Sequence, residues 1–314
     1  MGLIQSVRGL VPKRLKNRLR SGTLPWRIAA GLSPHMPGTV CVDVGASFYP
    51  HEKWLPFMLS PAASWVAVEP NAANLGYLQD WVWPCSVRAC TTGLSRQGGM
   101  RTLYVTNVDT GSSLLPPEIP PSMKHRVTNL DYFFPVVERR IETITLEQVV
   151  GQEAADSPIF VKLDTQGTEL SILQGAEPLL ERHRIAWIEL EATLLAQPLM
   201  RGAGRFWEAC EYLEGLGYEL LDLKPIRAVG RSGRPAQRYR TYLNECDAVF
   251  ALRPDIASAG PVDVRIGLLC FYVANLLYDE ALSMLERDSP VAERLRERSC
   301  DIKGLAALLR SAMK

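Results

Sequence analysis

The sequence lacks several features that would assign it to a function class at once. Its 314 residues contain no apolar run long enough to cross a bilayer, and the longest, residues 266–278, is interrupted by Gly267 and Asn275. The seven cysteines include no Cys-x-x-Cys pair and are odd in number, which predicts reduced thiols rather than a disulfide framework or a zinc site. A net charge of +1 leaves no basic surplus to neutralise phosphates, so we expect no nucleic-acid partner.

The N-terminal region is basic and carries no recognisable signal peptide, because an uninterrupted apolar core and a small-residue cleavage site are both missing. We therefore expect a cytoplasmic protein. Seven Lys or Arg residues and no acid precede Asp43, with apolar residues at roughly helical intervals among them. Residues 1–37 are interpreted as a basic amphipathic segment. Residues 1–30 either contact the inner face of an anionic membrane as a peripheral anchor or form a solvated leader.

From residue 38 the sequence alternates strand-like apolar runs with helical stretches, which predicts an α/β fold with a mostly parallel sheet and helices on both faces. Two final strands with no helix between them predict a terminal antiparallel hairpin. The proline-rich residues 108–138 predict a long loop, of a kind that commonly forms a binding lid. The strands are predicted at residues 39–45, 64–70, 85–93, 99–107, 157–164, 184–192, 218–224 and 246–252, with a strand entering a helix at 138–150.

A change in character after Pro254 divides the chain into a predicted catalytic domain, residues 38–254, and a helical extension, residues 255–314. Residues 262–286 predict one long helix that is apolar on nearly all sides, and the next helix is predicted to be capped by Ser289. Such an extension must bury its apolar surface. We expect it to pack on the sheet domain and to provide a homodimer contact.

A cofactor site is outlined by a strand ending in Asp43, a turn at Gly45 and an acid, Glu69, that closes the next strand. Glycine lets the backbone approach a ligand, and the two oxygens of Glu69 can accept from both hydroxyls of a ribose. A dinucleotide needs further glycines so that helix amides can hold its pyrophosphate, but residues 47–50 are Ser-Phe-Tyr-Pro. This counts against NAD and much less against S-adenosylmethionine, which has no phosphate. An NAD-dependent sugar-modifying enzyme stays an alternative.

The block VKLDTQGTELSILQGA at residues 161–176 resembles the FkbM family of S-adenosylmethionine-dependent methyltransferases. The resemblance implies a Rossmann-like class I methyltransferase with a seven-stranded sheet, acting on a hydroxyl of a small molecule, a sugar or a glycan precursor. It spans roughly residues 39–253 and is supported by VAVEPN (66–71), GSSLL (111–115), ETITLEQVV (142–150), IELEA (188–192) and CDAVFAL (246–252). The donor-binding positions that it implies are Asp43, Gly45, Ala46, Glu69, Pro70, Asn71 and Asp164.

Methyl transfer to a hydroxyl also requires a carboxylate or a histidine that receives the proton. Asp164 and Glu191 end neighbouring strands and are predicted to converge on one crevice, while His51 follows the atypical turn and is the third catalytic candidate. Lys162 and Glu189, two residues earlier on each strand, could pair with Asp164 and Glu191, but we favour a buried ion pair between Lys162 and Glu189 themselves. Asp164 and Glu191 would also suit Mg²⁺ or Ca²⁺, but two carboxylates do not define a site, and we predict no required metal.

The sequence departs from the family pattern after Gly45, where many members carry Asn-x-Gly, so the resemblance assigns no role to residues 47–51, including Tyr49. This altered turn keeps open a second hypothesis, a non-catalytic methyltransferase-like binding or scaffold protein. Residues 227–240 carry five arginines and no acid, which fits either an anionic acceptor or a solvated hairpin tip. Glu169 is interpreted as an acid in the first turn of a helix.

Overall fold

The structure is a computed structural model that describes residues 23–48, 50–80, 82–119, 133–151, 156–227 and 243–314. The strands are β1 (Val40–Val44), β2 (Ser64–Val68), β3 (Ser86–Cys90), β4 (Gly93–Leu94), β5 (Gly99–Thr106), β6 (Pro135–Ile144), β7 (Ile159–Leu163), β8 (Ile185–Thr193), β9 (Tyr218–Arg227) and β10 (Leu243–Leu252). The α-helices are α1 (Leu24–Leu32), α2 (Leu146–Val150), α3 (Glu169–Gly175), α4 (Glu177–Glu181), α5 (Phe206–Gly215), α6 (Pro254–Ala257), α7 (Val262–Ala274), α8 (Tyr278–Arg287), α9 (Ser289–Glu297) and α10 (Ile302–Ala312). Short 3₁₀ helices lie at Ser33–His35, Glu52–Trp54, Phe57–Leu59, Ala72–Asp80 and Asp109–Gly111.

Several sequence-based predictions concern residues outside these ranges. They are the role of Tyr49, most of the membrane contact proposed for residues 1–30, and the arginine-rich loop apart from its first residue. Within the described ranges, no helix is both long and apolar enough to span a bilayer.

The main sheet has seven strands in the order β3-β2-β1-β7-β8-β10-β9. Its first five strands in this order run parallel, and β10 is antiparallel to both β8 and β9. This confirms the predicted Rossmann-like α/β fold with a terminal antiparallel hairpin. The strand order reverses between β1 and β7, and ligands of open α/β sheets bind at such a switch point, beyond the carboxyl ends of the strands.

A second sheet contains three strands in the order β4-β6-β5. The strand predicted at residues 99–107 therefore lies outside the main sheet. β6 begins at Pro135, inside the region predicted as a loop, so the predicted loop 108–138 is too long at its C-terminal end. A proline is tolerated there because the first residue of a strand can dispense with its N–H donor.

One hydrophobic core joins the main sheet to the helical extension. Trp187 of β8 lies at its centre, with ring centroids 5.9 Å from Trp54, 5.3 Å from Phe160 and 5.2 Å from Phe271. All four side chains are fully buried. Because Phe271 belongs to α7, the extension packs directly on the sheet, as we expected. The homodimer contact stays a prediction.

Two details of the extension differ from the predictions. The long helix expected at 262–286 is divided into α7 and α8, because Leu276 adopts φ +63°, a left-handed conformation in which an α-helix cannot continue. The cap of α9 is Asp288 rather than Ser289, since the Asp288 side chain accepts from the Val291 N–H. Asp288 also pairs with Arg265 of α7 at 2.8 Å, which ties the two helices together.

The contact between α7 and the sheet can be tested at a glycine. A Cβ at Gly267 would lie 2.5 Å from Pro158 Cβ and 3.4 Å from Ala186 Cβ, so Gly267→Ala must push α7 away from the sheet. We expect this overpacking to lower the free energy of unfolding by about 1 to 3 kcal/mol, measured by urea denaturation. The control is Gly31→Ala in α1, where a Cβ meets nothing within 4 Å and should stabilise the protein by about 0.5 kcal/mol or more. Equal effects of the two substitutions would contradict this packing.

Candidate active site

A cavity of about 840 Å³ opens at the carboxyl ends of β1, β2, β7 and β8, where the strand order reverses. This volume lies within the range of small-molecule sites. Among the described lining residues, eight carboxylates face four Lys or Arg side chains, a formal excess of four negative charges. The carboxylates are those of Asp43, Glu52, Glu69, Asp109, Asp164, Glu189, Glu191 and Asp247, and the cations are Lys53, Arg139, Lys162 and Lys224. The cavity therefore suits a cationic or neutral polar ligand better than an anion.

The turn after β1 lies against the end of β7. Gly45 has φ +79°, a left-handed value that favours glycine, and a Cβ at this position would clash with the carbonyl oxygen of Asp164. The N–H groups of Gly45 and Ala46 both donate to the Val68 carbonyl oxygen, at 2.9 and 3.2 Å. The carbonyl of Ala46 in turn accepts from Tyr77 Oη at 3.1 Å. Gly45 is thus required by the close approach of two strand ends, whatever ligand the turn binds.

Both oxygens of Glu69, which follows β2, already have one partner each. Oε1 accepts from the Asn71 N–H at 2.8 Å, and Oε2 accepts from Ser47 Oγ at 2.7 Å. Burial raises the pKa of Glu69, and these two hydrogen bonds partly offset that rise. Each carboxylate oxygen keeps a further lone pair, so Glu69 can still accept from ribose hydroxyls. Pro70 and Asn71 line the cavity beside it.

Asp109 belongs to this part of the cavity, although no sequence motif identifies it. Its Oδ2 accepts from Asn71 Nδ2 at 2.8 Å and also from Asn74 Nδ2. The sequence signal that could have indicated it is its position two residues before the GSSLL block. Asp109 therefore places a second carboxylate on the loop next to Glu69.

Asp43 is buried near the end of β1 and orders the loop that follows. Its Oδ2 accepts from the His51 main-chain N–H at 3.2 Å, and its Oδ1 lies 3.6 Å from Lys162 Nζ. The side chain also lines the cavity. Its predicted contact with the methionine end of a methyl donor stays a prediction.

Lys162 and Glu189 are register neighbours on β7 and β8, but the ion pair that we favoured between them is wrong. The alternative pairing of Lys162 with Asp164 is confirmed. Lys162 Nζ lies 3.2 Å from Asp164 Oδ2 and 3.6 Å from Asp43 Oδ1, while Glu189 Oε2 lies 3.1 Å from Lys53 Nζ. Lys162 pairs instead with Asp164, which follows its own strand, and with Asp43 on the neighbouring strand β1. The loop after β1 supplies Lys53 as the cation for Glu189. Although burial lowers the pKa of Lys162, the carboxylates of Asp164 and Asp43 raise it above its usual value.

Asp164 and Glu191 meet in the crevice, where their strand-end positions predict them. Gln166, at φ +58° in the turn after β7, donates from Nε2 to Asp164 Oδ1 at 3.3 Å and also to Glu191 Oε2. Burial, followed by the charge of Asp164, raises the pKa of Glu191 well above its usual value. This favours the protonated form, in which Glu191 is a hydrogen-bond donor. The described part of the chain contains no group of three or more His, Cys, Asp or Glu side chains arranged to hold a metal ion.

The turn between β7 and α3 is organised by Glu169, the first residue of α3. This side chain points inward and accepts from the Thr165 N–H at 2.7 Å, the Thr165 hydroxyl at 2.9 Å and the Gly167 N–H at 2.9 Å. Glu169 is only 4% exposed. It is a first-turn helix acid, as expected, but its main contacts are with the turn that carries Gln166.

Glu245 of β10 gives this acidic region a testable pH dependence. Burial, followed by the charges of Asp164, Glu169 and Asp247, raises its pKa from 4.5 to about 7. The folded state therefore binds this proton more tightly than the unfolded state, and stability falls as the pH rises from about 4.5 through 7. We expect Glu245→Gln to raise the free energy of unfolding by about 1 to 3 kcal/mol at pH 8 and to change it little at pH 4.5. Urea unfolding at both pH values measures this, and equal changes at the two values would contradict it.

The cavity brings together almost all of the site residues named from the sequence. His51 lines it, and its ring packs edge-on against Trp54 with centroids 4.9 Å apart. Ala46 is the exception, because it is buried behind the lining. The sequence-predicted site residues that line the cavity are Asp43, Gly45, His51, Glu69, Pro70, Asn71, Asp164 and Glu191. Their predicted catalytic and donor-binding roles stay predictions.

A family model matches the part of the chain that supplies most of the cavity lining. The family model of the methyltransferase FkbM domain matches residues 43–220. No curated protein has significant sequence similarity to the chain. Among solved structures, a precorrin-6y C5,15-methyltransferase from Geobacter metallireducens GS-15 is 12% identical, with 78% of this chain and 90% of the other covered and a TM-score of 0.32. A SAM-dependent methyltransferase from Anabaena variabilis ATCC 29413 is 13% identical, with 70% of this chain and 78% of the other covered and a TM-score of 0.34.

Proposed function

The chain belongs to the FkbM family of methyltransferases, and from that membership we propose that it transfers a methyl group from S-adenosylmethionine to a hydroxyl group. The acceptor class that we propose is a small molecule, a sugar or a glycan precursor. The observation that carries the proposal is the acidic cavity at the switch point of the sheet, with Glu69 at the end of β2. The family supplies the reaction, and this cavity supplies a place for a cationic donor.

The charge of the cavity supports this donor over a dinucleotide. S-adenosylmethionine combines a sulfonium, an ammonium and a carboxylate, so it carries a net positive charge. The pyrophosphate of NAD would instead face eight carboxylates without the glycine-rich turn that normally donates amides to it. Electrostatic attraction thus favours the sulfonium donor and opposes NAD.

We assign the donor to the part of the cavity lined by residues 43–45, Ser47 and residues 69–71. Glu69 would accept from the ribose hydroxyls, Pro70 and Asn71 would flank the adenosine, and the turn at residues 43–46 would face the methionine end. When bound, the donor supplies an electrophilic methyl group on a sulfonium. The protein's part is to hold the acceptor oxygen in line with that methyl group, because positioning can contribute most of the acceleration.

The acceptor half of the cavity contains the three proton-acceptor candidates, Asp164, Glu191 and His51. Its acidic lining favours a neutral or cationic acceptor, such as a sugar hydroxyl, over an anion. An anionic acceptor would need the arginine-rich loop, most of which lies outside the described residues. A divalent metal is not part of the proposal.

Two measurements test the proposed function. Isothermal titration calorimetry should detect binding of S-adenosylhomocysteine and none of NADH, and NADH binding alone would favour the NAD-dependent alternative. Incubation of the protein with methyl-labelled S-adenosylmethionine and an extract of the source cells should give a labelled product that survives mild base, as an O-methyl ether does. Binding of S-adenosylhomocysteine without any transfer would favour the non-catalytic scaffold.

A further inference from the structure

A line of polar contacts runs from the helical extension into the cavity. Glu189 Oε2 lies 3.4 Å from His51 Nε2 and 3.1 Å from Lys53 Nζ. Lys53 Nζ also donates to Asn275 Oδ1 at 3.0 Å, and Asn275 directly follows α7. Through Asn275, the extension therefore helps to fix the Lys53–Glu189 ion pair in the wall of the cavity.

The surroundings of His51 hold its ring in one orientation. The ring packs edge-on against Trp54 and Trp187, with centroids 4.9 and 6.2 Å away, and its side chain is only 11% exposed. The His51 main-chain N–H donates to Asp43 Oδ2, which anchors the backbone to the end of β1. A histidine held on both sides in this way is preorganised rather than a mobile surface group.

The position of Glu189 determines which ring nitrogen can act as a base. A neutral imidazole carries one N–H and one bare nitrogen, and a carboxylate beside Nε2 favours the tautomer protonated there. Nδ1 is then the nitrogen that can take a proton from a ligand. Burial raises the pKa of Glu189, but its contacts with His51 and Lys53 lower it to about 2, so the carboxylate stays ionised at neutral pH.

The other two candidate bases are held in place by neighbouring side chains. Asp164 accepts from Lys162 Nζ at Oδ2 and from Gln166 Nε2 at Oδ1. Glu191 shares Gln166 with it. These contacts fix the two carboxyl groups and suit them to orienting the acceptor hydroxyl.

We propose that His51 is the proton acceptor of the methyl transfer and that Glu189 positions it, with Nε2–H toward the carboxylate and Nδ1 toward the acceptor hydroxyl. This rests on the proposed function. In the step, the O–H bond breaks and its proton goes to Nδ1, while the oxygen forms a bond to the methyl carbon. The electron pair of the broken carbon–sulfur bond stays on sulfur, S-adenosylhomocysteine leaves, and the imidazolium returns its proton to solvent.

The first experiment reads the tautomer directly and needs no acceptor. The chain has four histidines, so His51→Gln assigns the His51 signals in long-range ¹H–¹⁵N spectra. The expected result is the Nε2–H tautomer in the wild-type protein. Glu189→Gln should weaken this preference, because a neutral amide can donate to Nε2 as well as accept from it. The control, Glu181→Gln in α4, alters an exposed carboxylate outside the cavity and should leave the tautomer unchanged. An Nδ1–H tautomer in the wild-type protein would overturn the proposal.

The second experiment measures transfer from methyl-labelled donor to the cell extract. His51→Gln should reduce transfer about 100-fold or more and leave S-adenosylhomocysteine affinity within about twofold of the wild type. Glu189→Gln should reduce transfer less than His51→Gln and likewise leave S-adenosylhomocysteine affinity within about twofold. Full transfer by His51→Gln, with donor binding intact, would overturn this inference alone. Failure of the wild-type protein to bind S-adenosylhomocysteine or to transfer methyl would overturn the proposed function as well.

Discussion

Replacing Glu69 by alanine is expected to weaken S-adenosylhomocysteine binding about 100-fold. A hydrogen bond to a charged acceptor contributes about 1.5 to 3 kcal/mol, and about 1.4 kcal/mol corresponds to a tenfold change in affinity. The substitution removes the acceptor for the ribose hydroxyls and also leaves Ser47 Oγ and the Asn71 N–H without the carboxylate that they contact. The loss of the ligand contact and the loss of local order both weaken binding of S-adenosylhomocysteine. Calorimetric titration of both proteins with S-adenosylhomocysteine measures the effect.

A matched control separates this contact from the overall charge of the cavity. Asp247→Asn removes one negative charge from the same lining, but Asp247 belongs to β10 and pairs with Lys224 at 3.0 Å. We expect a change of threefold or less from it, because a screened interaction at a distance contributes well under about 1 kcal/mol. Glu69→Gln should fall between the two, since it keeps one acceptor oxygen. Equal losses from Glu69→Ala and Asp247→Asn would show that Glu69 acts only through its charge.

The positions of Glu69, Asp164 and Glu191 are predictable from sequence for a simple geometric reason. Each residue follows or ends a strand of the main sheet, and the carboxyl ends of parallel strands meet at one edge. The alternation of apolar runs and helices identifies those strands, and the turn at Gly45 identifies the switch point. The sequence alone therefore predicts that acids at the ends of these strands lie in one crevice.

The partners of Glu189 and the role of Asp109 are not predictable in the same way. His51 lies on a loop, and Lys53 and Asp109 lie in single-turn 3₁₀ helices, which are too short to show a hydrophobic period that could indicate where a side chain points. The register of β7 and β8 makes Lys162 the apparent partner of Glu189, and only the path of the loop after β1 changes this. The break between α7 and α8 has a similar origin. It depends on a left-handed leucine, Leu276, which no local propensity indicates.

The second large effect is expected at Glu169, where Glu169→Ala should lower the free energy of unfolding by about 3 kcal/mol or more. The buried carboxylate accepts from the Thr165 N–H, the Thr165 hydroxyl and the Gly167 N–H of a half-buried turn. Each donor left without an acceptor there costs about 1 to 3 kcal/mol. The loss would be a large share of a total stability that for proteins of this kind is about 5 to 15 kcal/mol.

The same substitution distinguishes a helix-dipole role from a turn-organising role. Glu177 is also the first acid of its helix, α4, but it is exposed, so Glu177→Ala should change the free energy of unfolding by about 0.5 kcal/mol or less. If Glu169 acted only on the dipole of α3, its replacement would cost no more than this control. Urea unfolding of the two variants decides between these roles.

Because the turn carries Gln166, which joins Asp164 to Glu191, a destabilised Glu169→Ala protein should also lose methyl transfer at temperatures where it is still folded.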